Sequence, residues 1–363
     1  MLKGKTVAVV VPAYNEETQI GIVIDTMPDF VDRIIIINDG SKDNTEAIVR
    51  KYTEKQEKSP FELGIKLEDF EKTFFNKALE TVVEIRKEEE KYYPKHEIVN
   101  DNGFDRIVLI NQENSKVGGA IATGYKWCRD RKIDCTAVMA GDAQMDPDEL
   151  ENICMPVIED DVDYVKGNRL IHKSARVLIP KKRFFGNSVL SALTKVASGY
   201  WGISDTQTGY TAISLSALES VEIHKIYRDY GMPNDMLVKL NISYCTIKEI
   251  PIKPVYDVGE QSKMRIGRVI PRITLLLLKS FIKRLWGKYF FRDFHPLFLF
   301  YNFSFALGIL NLYFFIEIII ALSTNMPITV GTYLGFVLLF VSSLQALFFG
   351  MWMDIQDNAR LEK

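Results

Sequence analysis

What this chain of 363 residues lacks narrows its reading before any motif is considered. Its four cysteines, Cys128, Cys135, Cys154 and Cys245, have neither the paired spacing of a metal site nor that of a disulfide framework, so reduced, buried thiols are expected. The four histidines, His96, His172, His224 and His295, show no ligand spacing either. A formal net charge of -2 leaves no broad basic field of the kind that binds nucleic acid. The first apolar run stops at Pro12 in a polar turn. It is too short for a signal peptide and is expected as a strand, which keeps the domain it opens in the cytoplasm.

What is present is a repeated device, an apolar run that ends in an acid. Thr6 to Val11 breaks at Pro12 into Tyr14-Asn15-Glu16. Arg33 to Ile37 ends in Asn38-Asp39-Gly40-Ser41, and Thr136 to Ala140 ends in Gly141-Asp142. Such β-branched runs read as buried parallel strands, and acids at their carboxyl ends face the crevice where α/β sheets bind ligands. Helical patterns cover Glu16 to Met27, Asn44 to about Lys58, Gly118 to Arg131 and Pro147 to Glu159. The β-α-β-α order predicts a mostly parallel sheet. Asp43-Asn44 and Asp146-Pro147 supply helix caps. Further on, Tyr164 to Lys166 and Gly209 to Ser214 read as strands and Lys181 to Ser198 and Leu215 to Ile223 as helices. An alternating segment from Tyr244 to Val255 closes the globular part. Residues 59–104 break the rhythm. Rich in Lys and Glu, with Phe70, Phe74, Leu79, Val82 and Val83 at near-helical spacing, they read as a helical insertion. It is either a solvated flank or a site of oligomer contact or acceptor selection.

Pro296 to Leu322 and Ile328 to Met353 each exceed the roughly 20 residues that cross a bilayer core. Before them, Arg272 to Phe291 mixes leucines and aromatics with Lys279, Lys283, Arg284 and Lys288, the pattern of an interfacial helix. The connecting loop Ser323 to Pro327 is uncharged while Arg268 to Arg292 is basic. A multi-pass hairpin with its loop outside and both ends in the cytoplasm is therefore expected. Glu317 within the first span would pair with Gln345 or Ser342, or contact a lipid phosphate or a partner. The expected organisation is a globular domain over residues 1–258, a basic interfacial segment over 259–295, two spans over 296–353 that offer a route to a homo-oligomer, and a cytoplasmic tail over 354–363.

PAYNEE, INDGSKDNT, NSKVGGAIATGY and MAGDAQMDP occur in an order that resembles glycosyltransferase family 2 over roughly residues 7–257. With the C-terminal helices, the chain resembles the family's polyprenyl-phosphate enzymes, the dolichyl-phosphate mannose synthase-like branch. The resemblance implies a GT-A fold, Rossmann-like, and inverting transfer from a nucleotide sugar, by default a UDP-sugar, to a polyprenyl or dolichyl phosphate in glycan biosynthesis. It also implies a divalent cation, Mg2+ or Mn2+.

Carried onto this sequence, the resemblance assigns Pro12, Tyr14, Glu16, Asp39, Gly119 and Asp142 to the donor nucleotide, and Asp142 with Gln144 to the metal. The family's Asp-x-Asp-x-Gln has Ala140 in place of its first acid. Asp146 then either contributes from the next turn or merely caps a helix. Arg169 would hold a donor or acceptor phosphate. Asp205 lies in a segment resembling one near the acceptor cleft, with a structural turn as the alternative. Lys263, Arg265 and Arg268 would meet the acceptor phosphate or serve as a positive flank. Asp235 is a base if the acceptor is a hydroxyl; if the acceptor is a phosphate, already anionic near neutral pH, Asp235 only orients groups or caps its helix. A non-catalytic scaffold that binds nucleotide sugars is the reading left if the loss at Ala140 has abolished the metal site.

Overall fold

The computed structural model describes residues 1–56, 58–63, 73–175, 181–255 and 266–363, and only the backbone of 181–185 and 266–270. Lys263, Arg265, the Arg268 side chain and Phe70 of the insertion lie outside these limits. The expected strands form where β-branched residues run together: β1 (Val7–Ala13) and β2 (Arg33–Asn38). Next come β3 (His96–Ile98), β4 (Ile107–Gln112), β5 (Cys135–Val138), β6 (Tyr164–Asn168), β7 (Thr211–Ser214) and β8 (Ile247–Pro251). They make one sheet in the order β3-β4-β2-β1-β5-β7-β6-β8. The β4-β2-β1-β5 core is parallel, as is β6-β8, while β3-β4, β5-β7 and β7-β6 are antiparallel. β1 and β2 are buried on both faces, which explains why they read as unbroken apolar runs.

Helices α1 (Ile20–Asp25), α2 (Thr45–Lys55), α3 (Lys77–Glu89), α4 (Lys116–Asp130) and α5 (Leu150–Glu159) follow the strands as the pattern predicts. The later helices are α6 (Lys181–Ser198), α7 (Leu215–Ser220) and α8 (Met232–Ile242). α4 lies tight on the sheet because it carries glycine where it crosses β1. A Cβ on Gly124 would come within 2.3 Å of Val10 Cγ1, far inside contact distance. The insertion is not wholly an excursion. Its β3 adds an antiparallel edge to β4, and Leu63 and Tyr93 reach the core, whereas α3 buries no residue.

The C-terminal part is α9 (Ile266–Trp286), a π-helical turn over Gly287–Arg292, then α10 (Pro296–Ser323) and α11 (Val330–Asn358). α9 has two apolar faces. Ile273, Leu277, Phe281 and Leu285 are buried against the protein, while Leu275, Leu278, Ile282 and Trp286 are exposed, as a helix lying in a bilayer interface requires. α10 and α11 pack as an antiparallel pair. Only 6 % and 11 % of their most apolar stretches is buried, unlike the core helices of a soluble domain. The chain is built to associate with a membrane.

Two of the charges expected to face the interface do something else. Arg284 and Lys288 are buried, and the far end of α11 closes over them. Arg284 forks onto Asp354 at 2.7 and 2.8 Å and donates to the carbonyls of Ala197 and Val196. Lys288 donates to the Asn241 and Asn358 side chains at 3.0 and 2.8 Å. The Tyr289 hydroxyl lies 3.2 Å from Asp354 Oδ1 and 3.0 Å from Asp357 Oδ2 and donates its one proton between them. Beyond it the tail docks on the globular domain: Leu361 is in the core and Lys363 N–H donates to the Ile247 carbonyl at 2.9 Å. This knot welds the second apolar helix to α6, α8 and α9, so both ends of the hairpin lie on the side of the globular domain.

Candidate active site

The turns that leave β1 and β2 are latched to each other. Asn15 is in the left-handed region at φ +56, its Oδ1 accepts from Lys42 N–H at 2.8 Å, and its own N–H donates to Ser41 Oγ at 3.0 Å. Glu17 accepts from Asn44 N–H and Nδ2, and Glu16 N–H donates to Thr45 Oγ1. This latch sets Pro12, Tyr14 and Glu16, all half-buried, beside the Asp39 turn. The expected cap of α2 is Asp43 rather than Asn44: Asp43 Oδ1 accepts from Thr45 N–H and Oγ1–H.

Asp39 is 3 % exposed and sits at the N-terminus of α4. Its Oδ1 accepts from Gln112 Nε2 at 2.6 Å and from Ser115 N–H at 2.7 Å. Burial pushes its carboxyl above the usual range, and the hydrogen bonds from Ser115 and Gln112 partly offset that. Gly119 belongs to the same corner. A Cβ there would strike Ser115 Oγ at 2.2 Å, so glycine is what lets the Ser115 turn close beneath Asp39.

Across the sheet a cleft opens, lined by Asp142, Gln144, Asp146, Arg169, Gly209 and Lys253 among others. The expected metal residues and the expected phosphate residue thus line one cleft. Gln144 N–H donates to Asp142 Oδ1 at 3.1 Å across Ala143, which is held at φ +57. Alanine rarely adopts that conformation, and strain of this kind gathers at functional turns. Asp146 is the cap that its neighbour Pro147 predicts. Its Oδ1 accepts from Asp148 N–H and its Oδ2 from Lys253 Nζ at 3.1 Å.

For a cation the donors are hard oxygens: one carboxylate at Asp142 and one amide oxygen at Gln144. Among the described residues no three His, Cys, Asp or Glu side chains are grouped to hold a metal by themselves. Such a set fits an ion of the Mg2+ type shared with substrate phosphates, and not a closed structural site.

Arg169 forks onto Asp205, Nε to Oδ2 at 2.9 Å and one terminal nitrogen to Oδ1 at 3.1 Å, while 27 % of its side chain stays exposed. Asp205 itself is fully buried. Burial drives its carboxyl up, but Arg169 and Lys166 overcome that and hold it below the usual carboxylate range. Asp235, 6 % exposed in the first turn of α8, accepts from Tyr227 N–H at 2.9 Å and from Lys239 Nζ, and it is not among the residues that line the cleft.

Sequence reasoning did not single out Gln112, Lys166 or Glu249. Gln112 ends an apolar run, Ile107 to Ile110, of the same kind as the three that were read as strands. Lys166 stood in plain view as a lysine inside a buried strand. Glu249 shows no local signal at all: it becomes a partner of the Asp205 loop only through the pairing of β6 with β8.

The sequence model described as Glycosyl transferase family 2 matches residues 8–78 and 80–221. The UDP-N-acetylglucosamine–dolichyl-phosphate N-acetylglucosaminyltransferase of Methanococcus voltae is 28% identical over 257 residues, 70% of this chain and 88% of the relative. The undecaprenyl-phosphate mannosyltransferase of Micrococcus luteus is 25% identical over 171 residues, 46% of this chain and 69% of the relative. Among solved structures, glucosyl-3-phosphoglycerate synthase of Mycobacterium tuberculosis, in complex with Mn2+, UDP and glucosyl-3-phosphoglycerate, aligns with a TM-score of 0.47 at 16% identity, covering 77% of this chain and 80% of that one.

Proposed function

Because the chain belongs to glycosyl transferase family 2 and has the GT-A architecture, we propose that it transfers one sugar, with inversion, from a UDP-sugar to a polyprenyl or dolichyl phosphate at the cytoplasmic face of a membrane. The observation that carries this reading is the cleft in which Asp142, Gln144 and Arg169 stand together. The names of the M. voltae and M. luteus relatives support the donor and acceptor classes. The basic flank of α9 and the hairpin ends on the domain side support the membrane face.

Glu16 and Asp39 receive the nucleoside, in a corner shaped by Pro12, Tyr14 and Gly119. A carboxylate accepts about four hydrogen bonds, so Asp39 has capacity left after Gln112, Ser115 and the Lys116 N–H. Asp142 and Gln144 would hold the divalent cation, which neutralises the charge gathering on the departing diphosphate. An acceptor phosphate oxygen attacks the anomeric carbon from the face opposite the diphosphate. The bond from that carbon to the diphosphate oxygen breaks, and its electron pair leaves with the nucleoside diphosphate. Arg169 orients the acceptor phosphate and screens its charge. No base is needed, because a phosphate monoester, with its second pKa at about 6, already presents an anionic oxygen. Asp235, engaged by Lys239 and Tyr227, is poorly placed to act as the base that a hydroxyl acceptor would require.

The test incubates detergent-purified protein with Mn2+ or Mg2+, radiolabelled nucleotide sugars and polyprenyl phosphate. An acid-labile glycolipid is expected, falling about 100-fold or more in Asp142→Ala with an unchanged melting temperature. Label that enters only hydroxyl acceptors would overturn the reading.

A further inference from the structure

We propose that Lys166 is a positioning residue for Arg169, holding the loop that carries Asp205 and balancing its charge so that Arg169 can receive an anionic headgroup. This rests on the acceptor reading above.

Lys166 is 0 % exposed in the middle of β6, three residues before Arg169. Its ammonium donates to the Thr208 carbonyl, and Thr208 lines the cleft. The other end of the same loop hangs from Glu249, whose Oε1 accepts from the N–H groups of Ser204 and Asp205 at 2.7 and 2.9 Å. Glu249 Oε2 accepts from Asn168 Nδ2 at 2.7 Å. Residues 204–208 are therefore strung between a buried cation and a half-buried anion, and Arg169 grips Asp205 in between.

The charges explain why a lysine is there. Asp205 and Glu249 face Arg169 and Lys166, so the cluster is neutral. With Lys166 removed, two carboxylates would face one guanidinium beneath a site meant for phosphate. An apolar residue would pack in this strand position without the desolvation cost of burying an ammonium. The position thus takes a penalty that strand packing alone does not require. Burial pushes Lys166 down to about 8 against the attraction of Asp205 and Glu249, which leaves it mostly charged at neutral pH.

Two variants separate charge from structure. Lys166→Met removes both the charge and the hydrogen bond, while Lys166→Gln removes the charge and keeps an N–H donor on a side chain one atom shorter. Both are expected to raise the acceptor KM about tenfold, leave the donor KM within about twofold, and weaken the thermal shift given by farnesyl phosphate but not that given by farnesol. Adding Glu249→Gln to Lys166→Met should bring the acceptor KM back toward the wild-type value, because neutrality is restored. Lys166→Gln with wild-type acceptor KM and farnesyl phosphate shift overturns the proposal. So does a rise in both KM values together with a fall in melting temperature that Glu249→Gln does not rescue. If the wild-type protein makes no glycolipid at all, the enzymatic reading fails, and the farnesyl phosphate arm still decides the role of Lys166 in holding an anion.

Discussion

The molecule contains two arginine-aspartate forks, Arg284 end-on to Asp354 through its two terminal nitrogens and Arg169 side-on to Asp205 through Nε and one terminal nitrogen, each with a buried lysine nearby. In the first, arginine and aspartate are 1 % and 0 % exposed, and the remaining guanidinium donors end on two backbone carbonyls and the Tyr289 hydroxyl. In the second, the aspartate is as deeply buried, but the arginine keeps more than a quarter of its surface open to a cleft. The first fork is closed on every side and ties α6, α9 and α11 together. The second has a face left for a ligand. A buried ion pair is thus no sign of function by itself; what separates the two is whether one partner reaches a cavity.

The largest effect should come from opening the closed fork. Asp354→Ala leaves an arginine buried without its partner, at a cost of about 3–5 kcal/mol, read as loss of the folded, monodisperse protein in detergent. Arg284→Met together with Asp354→Leu should recover most of that stability. Failure of the pair to recover it would mean that the knot's specificity lies in its polar groups. At the open fork the opposite pattern is expected. Arg169→Lys keeps the charge and loses the fork, so turnover should drop about 100-fold while the melting temperature moves little. A large stability loss there would make the two forks equivalent and remove the contrast.

The lysines sharpen the comparison through pH. Burial lowers Lys288 from 10.5 to about 8. Its folded-state value is depressed, so the folded protein binds fewer protons than the unfolded chain between these limits. The contribution is fully favourable above 10.5, is lost as the pH falls through that window, and is gone below about 8. Melting temperature should therefore rise from pH 8 toward 10 wherever the protein stays soluble, by the equivalent of up to about 3 kcal/mol for this residue. Lys166 is lowered into the same range. Lys288→Met should then flatten part of the slope and not all of it, without changing the acceptor KM.

How much of this was legible in the sequence follows from how local each cause is. The parallel core, the acidic turns at its carboxyl edge, the cap at Asp146 and the two apolar helices depend on neighbours within a few residues, and their patterns were readable. β4 is readable in principle, since its apolar run ends in Asn111-Gln112 as β2 ends in Asn38-Asp39, but the irregular segment before it breaks the strand-helix alternation that marks the others. The two forks were not readable. Arg284 and Lys288 fit the periodicity of an interfacial helix as well as that of a buried face, and only α11 folding back from some 70 residues away makes them internal. Arg169 and Asp205 were each found on motif, but their pairing is set by β6 meeting β7, which no single segment states.

A third acid in an apolar setting, Glu317, completes the series with the smallest effect. Ser304 Oγ donates to the Ser343 carbonyl, which fixes the register of the hairpin and puts Gln345 opposite the start of α10, about four turns from Glu317. The expected Gln345 and Ser342 are therefore replaced as partners by two hydroxyl donors, Tyr313 at 2.7 Å and Thr332 at 3.3 Å. In glutamine the amide oxygen still accepts from one of these hydroxyls and the amide N–H can donate to the other, whose oxygen is free to accept in turn. Glu317→Gln should thus cost under about 1 kcal/mol, in line with hydrogen bonds between membrane helices, and leave transfer unchanged. Loss of assembly or of activity in that variant would show that the negative charge itself is used, and the acid would then belong with Arg169 and not with the knot that merely holds the helices.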